Sequence, residues 1–278
     1  MNRSSNLCAL MVTMVTLLIG CKKAPVETTT KSYLHLAHVR MKDNATVCPQ
    51  LADMDLGRYD ALLLGGDLAL QTSVSDAVMA RYDSLFSFGE SRTLWALGNH
   101  DYDDLKRVQQ FTGRPAYYSY RDGPVQFLVL DTQDSLSHIV GDQLELIRHT
   151  IDTMAFAKYL IVLHHKLIWM PGHPELSKQI GQVANAPEGS CFYCTNPNNF
   201  YEALYPLLLN ARRKGVGVYC VGGDLGYHRK SFSYVTSDGV HFLASGFNFD
   251  DVDNRALLLK FDSDSSTIQV SFPLHSEL

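Results

Sequence analysis

Three short runs carry side chains that handle metal ions and phosphate: Gly65-Gly66-Asp67, Gly98-Asn99-His100-Asp101 and Val162-Leu163-His164-His165. Each has an apolar β-type stretch before it, so each sets its polar groups at a strand end. A carboxylate, an amide oxygen and imidazole nitrogens suit hard-to-borderline divalent cations, and such a mixed set does not choose among Mn, Fe and Zn. Taken singly, Asp67, Asn99, His100 and His164 read equally well as turn or capping residues. Taken in order along one chain, the runs acquire chemical meaning.

The elements that must position these groups are legible as apolar runs. Segments 33–39, 61–64, 93–97, 125–130, 159–163 and 216–221 are short and mostly rich in Val, Ile, Leu or aromatics, which predicts strands buried on both faces. Helices are expected over 74–86, 103–110, 141–155 and 198–214. In the third, Leu144, Ile147 and Ile151 form an apolar stripe, and Gly215 stops the last. Hairpins are expected over 117–130, turning at Asp122-Gly123, and over 232–244, turning at Asp238-Gly239. Final strands are expected over 256–261 and 267–272. Crossover helices mixed with hairpins predict an α/β (α+β) fold: a four-layer sandwich of two mixed β-sheets flanked by helices.

At 278 residues the chain can bury one large core. A hydrophobic fraction of 46% with 19% charged residues argues against disorder. The net charge of -5 gives no reason to expect nucleic acid as a partner.

In order and spacing, Gly66-Asp67, Gly98-Asn99-His100-Asp101 and Val162-Leu163-His164-His165 resemble the calcineurin-like metallophosphoesterase superfamily, over roughly residues 33–250. The resemblance implies a two-metal centre, with cations about 3.5–4 Å apart that hold a hydroxide and clamp an in-line displacement at phosphorus. Carried over by position, Asp67 is the bridge, and Asn99 and His164 belong to the second metal. His100 stabilises or protonates the leaving oxygen, and Asp101 orients the ring of His100. A backing carboxylate fixes a tautomer and raises basicity, which agrees with that role.

The departures are as informative. The first strand ends Leu36-Ala37-His38-Val39-Arg40, so His38 stands where the family has Asp, and Arg40 where it has His. The closing motif reads Gly222-Gly223-Asp224-Leu225-Gly226-Tyr227-His228, with Asp224 and Gly226 in the places of two histidines. Asp224 still offers an oxygen ligand. Arg40 is always protonated and cannot ligate; its guanidinium is expected to fill the space of the missing cation. The expected metal residues are therefore Asp67, Asn99, His164, Asp224 and His38, for one or two divalent ions. The expected catalytic residues are His100, Asp101 and Arg40. His165 and His228 are read as cleft or structural residues rather than ligands. Lys166 stands where many family members have Pro, and Tyr102 either lines the entrance or packs. The long loop 165–200 is expected to cover the cleft.

Two functions follow. One is a metal-dependent phosphoesterase that hydrolyses a phosphate mono- or diester, with a departed first-metal site. The other is a catalytically inactive lipoprotein of the same fold that binds a phosphorylated ligand. An ordinary structural envelope lipoprotein would leave the ordered motifs as coincidence.

Residues 1–21 resemble a lipoprotein signal peptide: Arg3, an apolar stretch from Ala9, and Leu18-Ile19-Gly20-Cys21 in the form of a lipobox with Cys21 as the lipidated residue. Residues 22–32 are polar and suit a tether, leaving 33–278 as the phosphoesterase domain. This places the protein in the cell envelope, lipid-anchored to a membrane outside the cytoplasm. Of six cysteines, Cys48, Cys191, Cys194 and Cys220 stay with the domain. Cys191 and Cys194 have C-x-x-C spacing without a second such pair, which favours a local disulfide or two buried thiols over zinc.

Overall fold

A computed structural model describes residues 30–262 and 268–278. Cys21, the rest of the signal segment and residues 22–29 of the expected tether lie outside them.

The order of the strands in the sequence is sorted into two sheets. The first contains β1 (Thr30–Leu36), β2 (Ala61–Leu64), β3 (Thr93–Trp95), β10 (Leu257–Asp262) and β11 (Ile268–Ser271), in the order β11-β10-β1-β2-β3. The second contains β4 (Tyr118–Asp122), β5 (Val125–Val129), β6 (Tyr159–His164), β7 (Gly217–Gly222), β8 (Ser231–Val235) and β9 (Val240–Ser245), in the order β4-β5-β6-β7-β9-β8. Strands β1, β2 and β3 run parallel, as do β5, β6, β7 and β9; the hairpin partners and β10–β11 are antiparallel.

Side-chain alternation builds the layers. Tyr33, Leu63 and Leu94 of the first sheet meet Phe127, Ile161, Leu163 and Val221 of the second. On the outer face of the first sheet, Leu34, Leu36, Leu62 and Leu64 pack with Met79, Tyr82 and Phe86 of α1 (Asp76–Phe86) and Val108 of α2 (Leu105–Thr112). On the outer face of the second, Leu128, Leu160, Val162 and Val218 pack with Ile147 and Ile151 of α3 (Gly141–Thr153). Leu208 and Ala211 of α5 (Tyr205–Arg213) join the same layer, as do Ile180 and Val183 of the short α4 (Ile180–Val183). Each fully buried Leu, Ile, Val or Phe contributes about 1.5–3 kcal/mol. The result is the expected four-layer sandwich.

Local departures have local causes. β1 starts at Thr30, inside the expected tether, because Thr30, Lys31 and Ser32 pair with β10 and Lys31 forms an ion pair with Asp122. The helix expected over 198–214 is broken: Phe200–Leu204 is a wider π turn, and α5 begins at Tyr205 with Pro206, which lacks an N–H, in its first turn. Cys191 and Cys194 form a disulfide, while Cys48 and Cys220 are buried thiols. Among the described residues no helix is long and apolar enough to cross a membrane.

Candidate metal and phosphate site

Parallel strands leave their carboxyl ends on one edge, where the loops after β1, β2, β3, β6 and β7 converge. Asp67, just beyond β2, has φ 56°, and His38, beyond β1, has φ 54°. Both are non-glycine residues in left-handed backbone, a conformation costing on the order of 1–3 kcal/mol that the surroundings must enforce. At Asp67 the enforcement comes from the fully buried carboxylate of Asp101. Its Oδ2 accepts the Asp67 N–H at 2.7 Å and the Gly98 N–H at 2.8 Å, its Oδ1 accepts the Leu68 N–H at 3.1 Å, and the Thr72 hydroxyl also donates to it. Asp101 thus ties the turn after β2 to the turn after β3. It does not orient the ring of His100 as expected. That ring donates Nδ1–H to the Leu70 carbonyl at 2.6 Å.

Cationic and imidazole groups surround Asp67. His38 Nε2 lies 3.7 Å and Arg40 Nε 3.9 Å from Oδ2, and His100 Nε2 lies 4.0 Å from the same oxygen. The backbone N–H of His100 donates to Oδ1 at 3.1 Å. Burial opposes the charge on Asp67, but His165, His38, His100 and that N–H outweigh it and hold the carboxyl below its usual range. Arg40 points at Asp67, as its register implied. Its Nε also donates to His38 Nε2 at 3.3 Å, and its guanidinium stands 5.9 Å from the Phe249 ring centre. His38 donates Nδ1–H to Phe247 O at 3.0 Å, and burial lowers its pKa to about 4, so a neutral ring accepts from Arg40.

The histidine pair after β6 departs from expectation. His165, not His164, is the one against Asp67: its Nε2 lies 3.6 Å from Oδ1. Alternation explains why. Ile161 and Leu163 face the space between the sheets and Leu160 and Val162 face the helices, so the inward turn falls to His165. Gly98 makes the room, since a Cβ there would stand 2.1 Å from Asp67 Oδ1 and 2.8 Å from His165 Cε1. His165 Nδ1–H donates to Gly65 O at 2.7 Å, and its Nε2 is buried without a hydrogen-bond partner. His165 Nε2 and Asp67 Oδ1 thus face each other in a buried place. His164 is equally buried, with Nδ1 on Lys166 O at 2.7 Å and Nε2 without a partner.

The closing segment completes the wall. Asp224 is 3% exposed, and its Oδ2 has no partner. Burial pushes its carboxyl up to about 6; the His165 ring opposes this and the Asp67 charge adds to it. Gly226 has φ 137°, and a Cβ there would stand 2.0 Å from Phe247 O. A side chain is missing at this position, and the space for one is filled. His228 lies exposed against the Tyr227 ring. His38, Arg40, Asp67, Asn99, His100 and Asp224 share an open cavity of about 370 Å³, also lined by Asn185, Ala186, Pro187 and Tyr193 of the long loop.

The acceptors here, carboxylate and amide oxygens and imidazole nitrogens, are of the types that divalent cations take. Arg40 is always protonated and cannot ligate, and Gly226 offers no side chain and no room for one. His165 Nε2 and Asp224 Oδ2 are buried without partners, while Asp67 and Asn99 line the cavity; a histidine whose other nitrogen is held by a carbonyl is how proteins present a ligand. These groups are not gathered around one point: among the described residues no three His, Cys, Asp or Glu side chains form a metal-holding cluster. What fits is the chemistry of unpaired buried acceptors, whose desolvation is costly until a cation meets them.

A dimetal phosphatase from Danio rerio superposes at TM-score 0.50 with 12% identity, covering 88% of this chain and 99% of that one. The fold is that of a dimetal phosphatase. At that identity the likeness extends to the fold alone. The NAD nucleotidase of Haemophilus influenzae matches at TM-score 0.43 and 13% identity, over 88% of this chain and 49% of that one. This chain thus spans about half of the nucleotidase. A metallophosphoesterase from Sphaerobacter thermophilus matches at TM-score 0.34 and 12% identity, over 88% of each chain. No family model matches the sequence, and no curated protein matches it.

Proposed function

We propose that the cavity receives the phosphoryl group of a phosphate mono- or diester beside a single divalent ion, and that the protein hydrolyses the ester. The proposal places the chain in the calcineurin-like metallophosphoesterase superfamily with an altered first-metal position. The observation that carries it is two buried polar atoms without hydrogen-bond partners beside Asp67: His165 Nε2, 3.6 Å from Asp67 Oδ1, and Asp224 Oδ2 in the wall of the same cavity as Asp67. Asp67, Asn99, His165 and Asp224 would hold that ion, with Mn, Fe and Zn equally suited. When bound, it polarises phosphoryl oxygens and makes water more acidic. Arg40 supplies a second, fixed positive charge to the phosphoryl oxygens through charge-assisted hydrogen bonds. His100 Nε2, aimed by its Nδ1–H bond to Leu70, delivers the proton to the leaving oxygen. Asp101 acts by positioning Asp67.

The test is turnover of an aryl phosphate and an aryl phosphodiester by the full chain, with each divalent ion added in turn. His100→Ala is expected to lower turnover about 100-fold or more. The alternative, an inactive fold that binds a phosphorylated ligand, draws on the filled space at Gly226 and the cation replaced by Arg40. No turnover with any ion, together with retained phosphate binding, would select it.

Cys21 is proposed to carry lipid, with the domain outside the cytoplasm and a phosphoester as its substrate there. The disulfide between Cys191 and Cys194 is in keeping with an oxidising compartment. Growth on radiolabelled palmitate, with Cys21→Ser as control, tests this: label absent from the wild-type chain would refute it.

A further inference from the structure

The turn Cys191-Phe192-Tyr193-Cys194 is fastened far more firmly than a surface loop requires. Its ends are joined by the disulfide, and the Cys194 N–H donates to Cys191 O at 3.1 Å. The amine of Lys166, a residue 1% exposed, donates to Phe192 O at 2.6 Å. The Phe192 ring packs edge-on against Tyr102 at 5.8 Å, and Tyr102 is in turn fixed by its hydroxyl on Asp131 at 2.7 Å. Asn196 Nδ2 donates to Cys191 O at 3.0 Å, and the Thr195 N–H to Pro187 O at 3.0 Å.

None of this adds Tyr193 to a core. Tyr193 takes part in none of the three hydrophobic clusters and is 57% exposed, yet it lines the cavity that holds Arg40, Asp67 and His100. A buried lysine amine and a covalent bond fix the turn that carries this exposed ring beside the charged groups of the cavity. At about 370 Å³ the cavity exceeds what a phosphoryl group alone needs and lies in the range of small organic ligands.

We infer that Tyr193 is a specificity-determining platform on which a planar aromatic ring of the substrate stacks, so that the ester is an aryl- or base-bearing phosphate rather than an aliphatic one. Lys166 and the Cys191–Cys194 bond act as positioning elements for that ring. The inference rests on the reading of the cavity as a phosphate site.

Equilibrium binding of two non-hydrolysable probes to the full chain tests it: phenylphosphonate and cyclohexylphosphonate, alike in size, one flat and one puckered. Phenylphosphonate is expected to bind about tenfold tighter, as ring stacking on an exposed aromatic allows. That preference is expected to vanish in Tyr193→Ala and in protein reduced with dithiothreitol, and to survive in Tyr193→Phe. Equal affinities in the wild-type chain, or a preference untouched by Tyr193→Ala, overturn the inference and leave the phosphate reading standing. Binding of neither probe overturns the phosphate reading and the platform with it.

Discussion

A guanidinium brings a permanent positive charge but neither exchanges ligands nor acidifies water, so Arg40, 3.9 Å from Asp67, changes what this site can do. Arg40→Ala is expected to weaken binding of inorganic phosphate about tenfold or more, since a hydrogen bond to a charged group is worth about 1.5–3 kcal/mol. Competition against a phosphonate probe measures it. Gly226 makes the matching argument from the other side. Its φ of 137° and the 2.0 Å approach of Phe247 O to a built Cβ mean that Gly226→Ala is expected to cost about 3 kcal/mol of stability, read from urea unfolding. At this scale the sequence was informative about residue type and silent about space. That Arg40 turns toward Asp67 was legible from its register; that the backbone of Gly226 is pressed on Phe247, 21 residues further on, was not. The role of Asp101 was misread because a carboxylate beside a histidine suggests a dyad, whereas three backbone N–H groups claim it.

Strand alternation decides which side chains reach the site. Along β6 the inward positions are Ile161 and Leu163, and the next inward side chain is His165. His165→Ala is therefore expected to abolish retention of a divalent ion, while His164→Ala keeps most of it, with metal content after dialysis as the measurement. The reverse ranking would mean that alternation breaks at the end of β6. This signal was present in the sequence, in the parity of four apolar residues, but family position pointed one residue earlier. The other elements were legible because their apolar runs are short and bounded by glycine or turn residues. The exception, the break at Phe200–Leu204, came from Pro206 inside an otherwise helical pattern. The C-x-x-C spacing left a disulfide and two thiols open, and only the folded turn decides between them.

At the scale of the whole molecule, two sheets are closed on each other with imidazoles buried at their joined edge, and acid should open them. His35 is fully buried between the sheets, its Nδ1 on Ser245 Oγ at 2.9 Å, and burial lowers its pKa from the ordinary 6.5 to about 3, with His164 and His165 adding to the effect. The unfolded chain takes up this proton first. Stability is thus complete above about pH 6.5 and falls as pH drops toward 3, by at most about 1.4 kcal/mol per pH unit for this group. Urea unfolding in chelator from pH 7 to 4 is expected to show a shallower loss in His35→Gln than in the wild-type chain, and identical slopes would remove His35 from the account. The proposed site, in which Arg40 leaves room for a single cation, is open to direct test by counting ions. After saturation with Mn, Fe or Zn and removal of excess, metal per chain is measured by mass spectrometry of the elements. One ion per chain, lost in His165→Ala, is expected; two ions per chain, or none with any metal, would overturn the single-ion proposal.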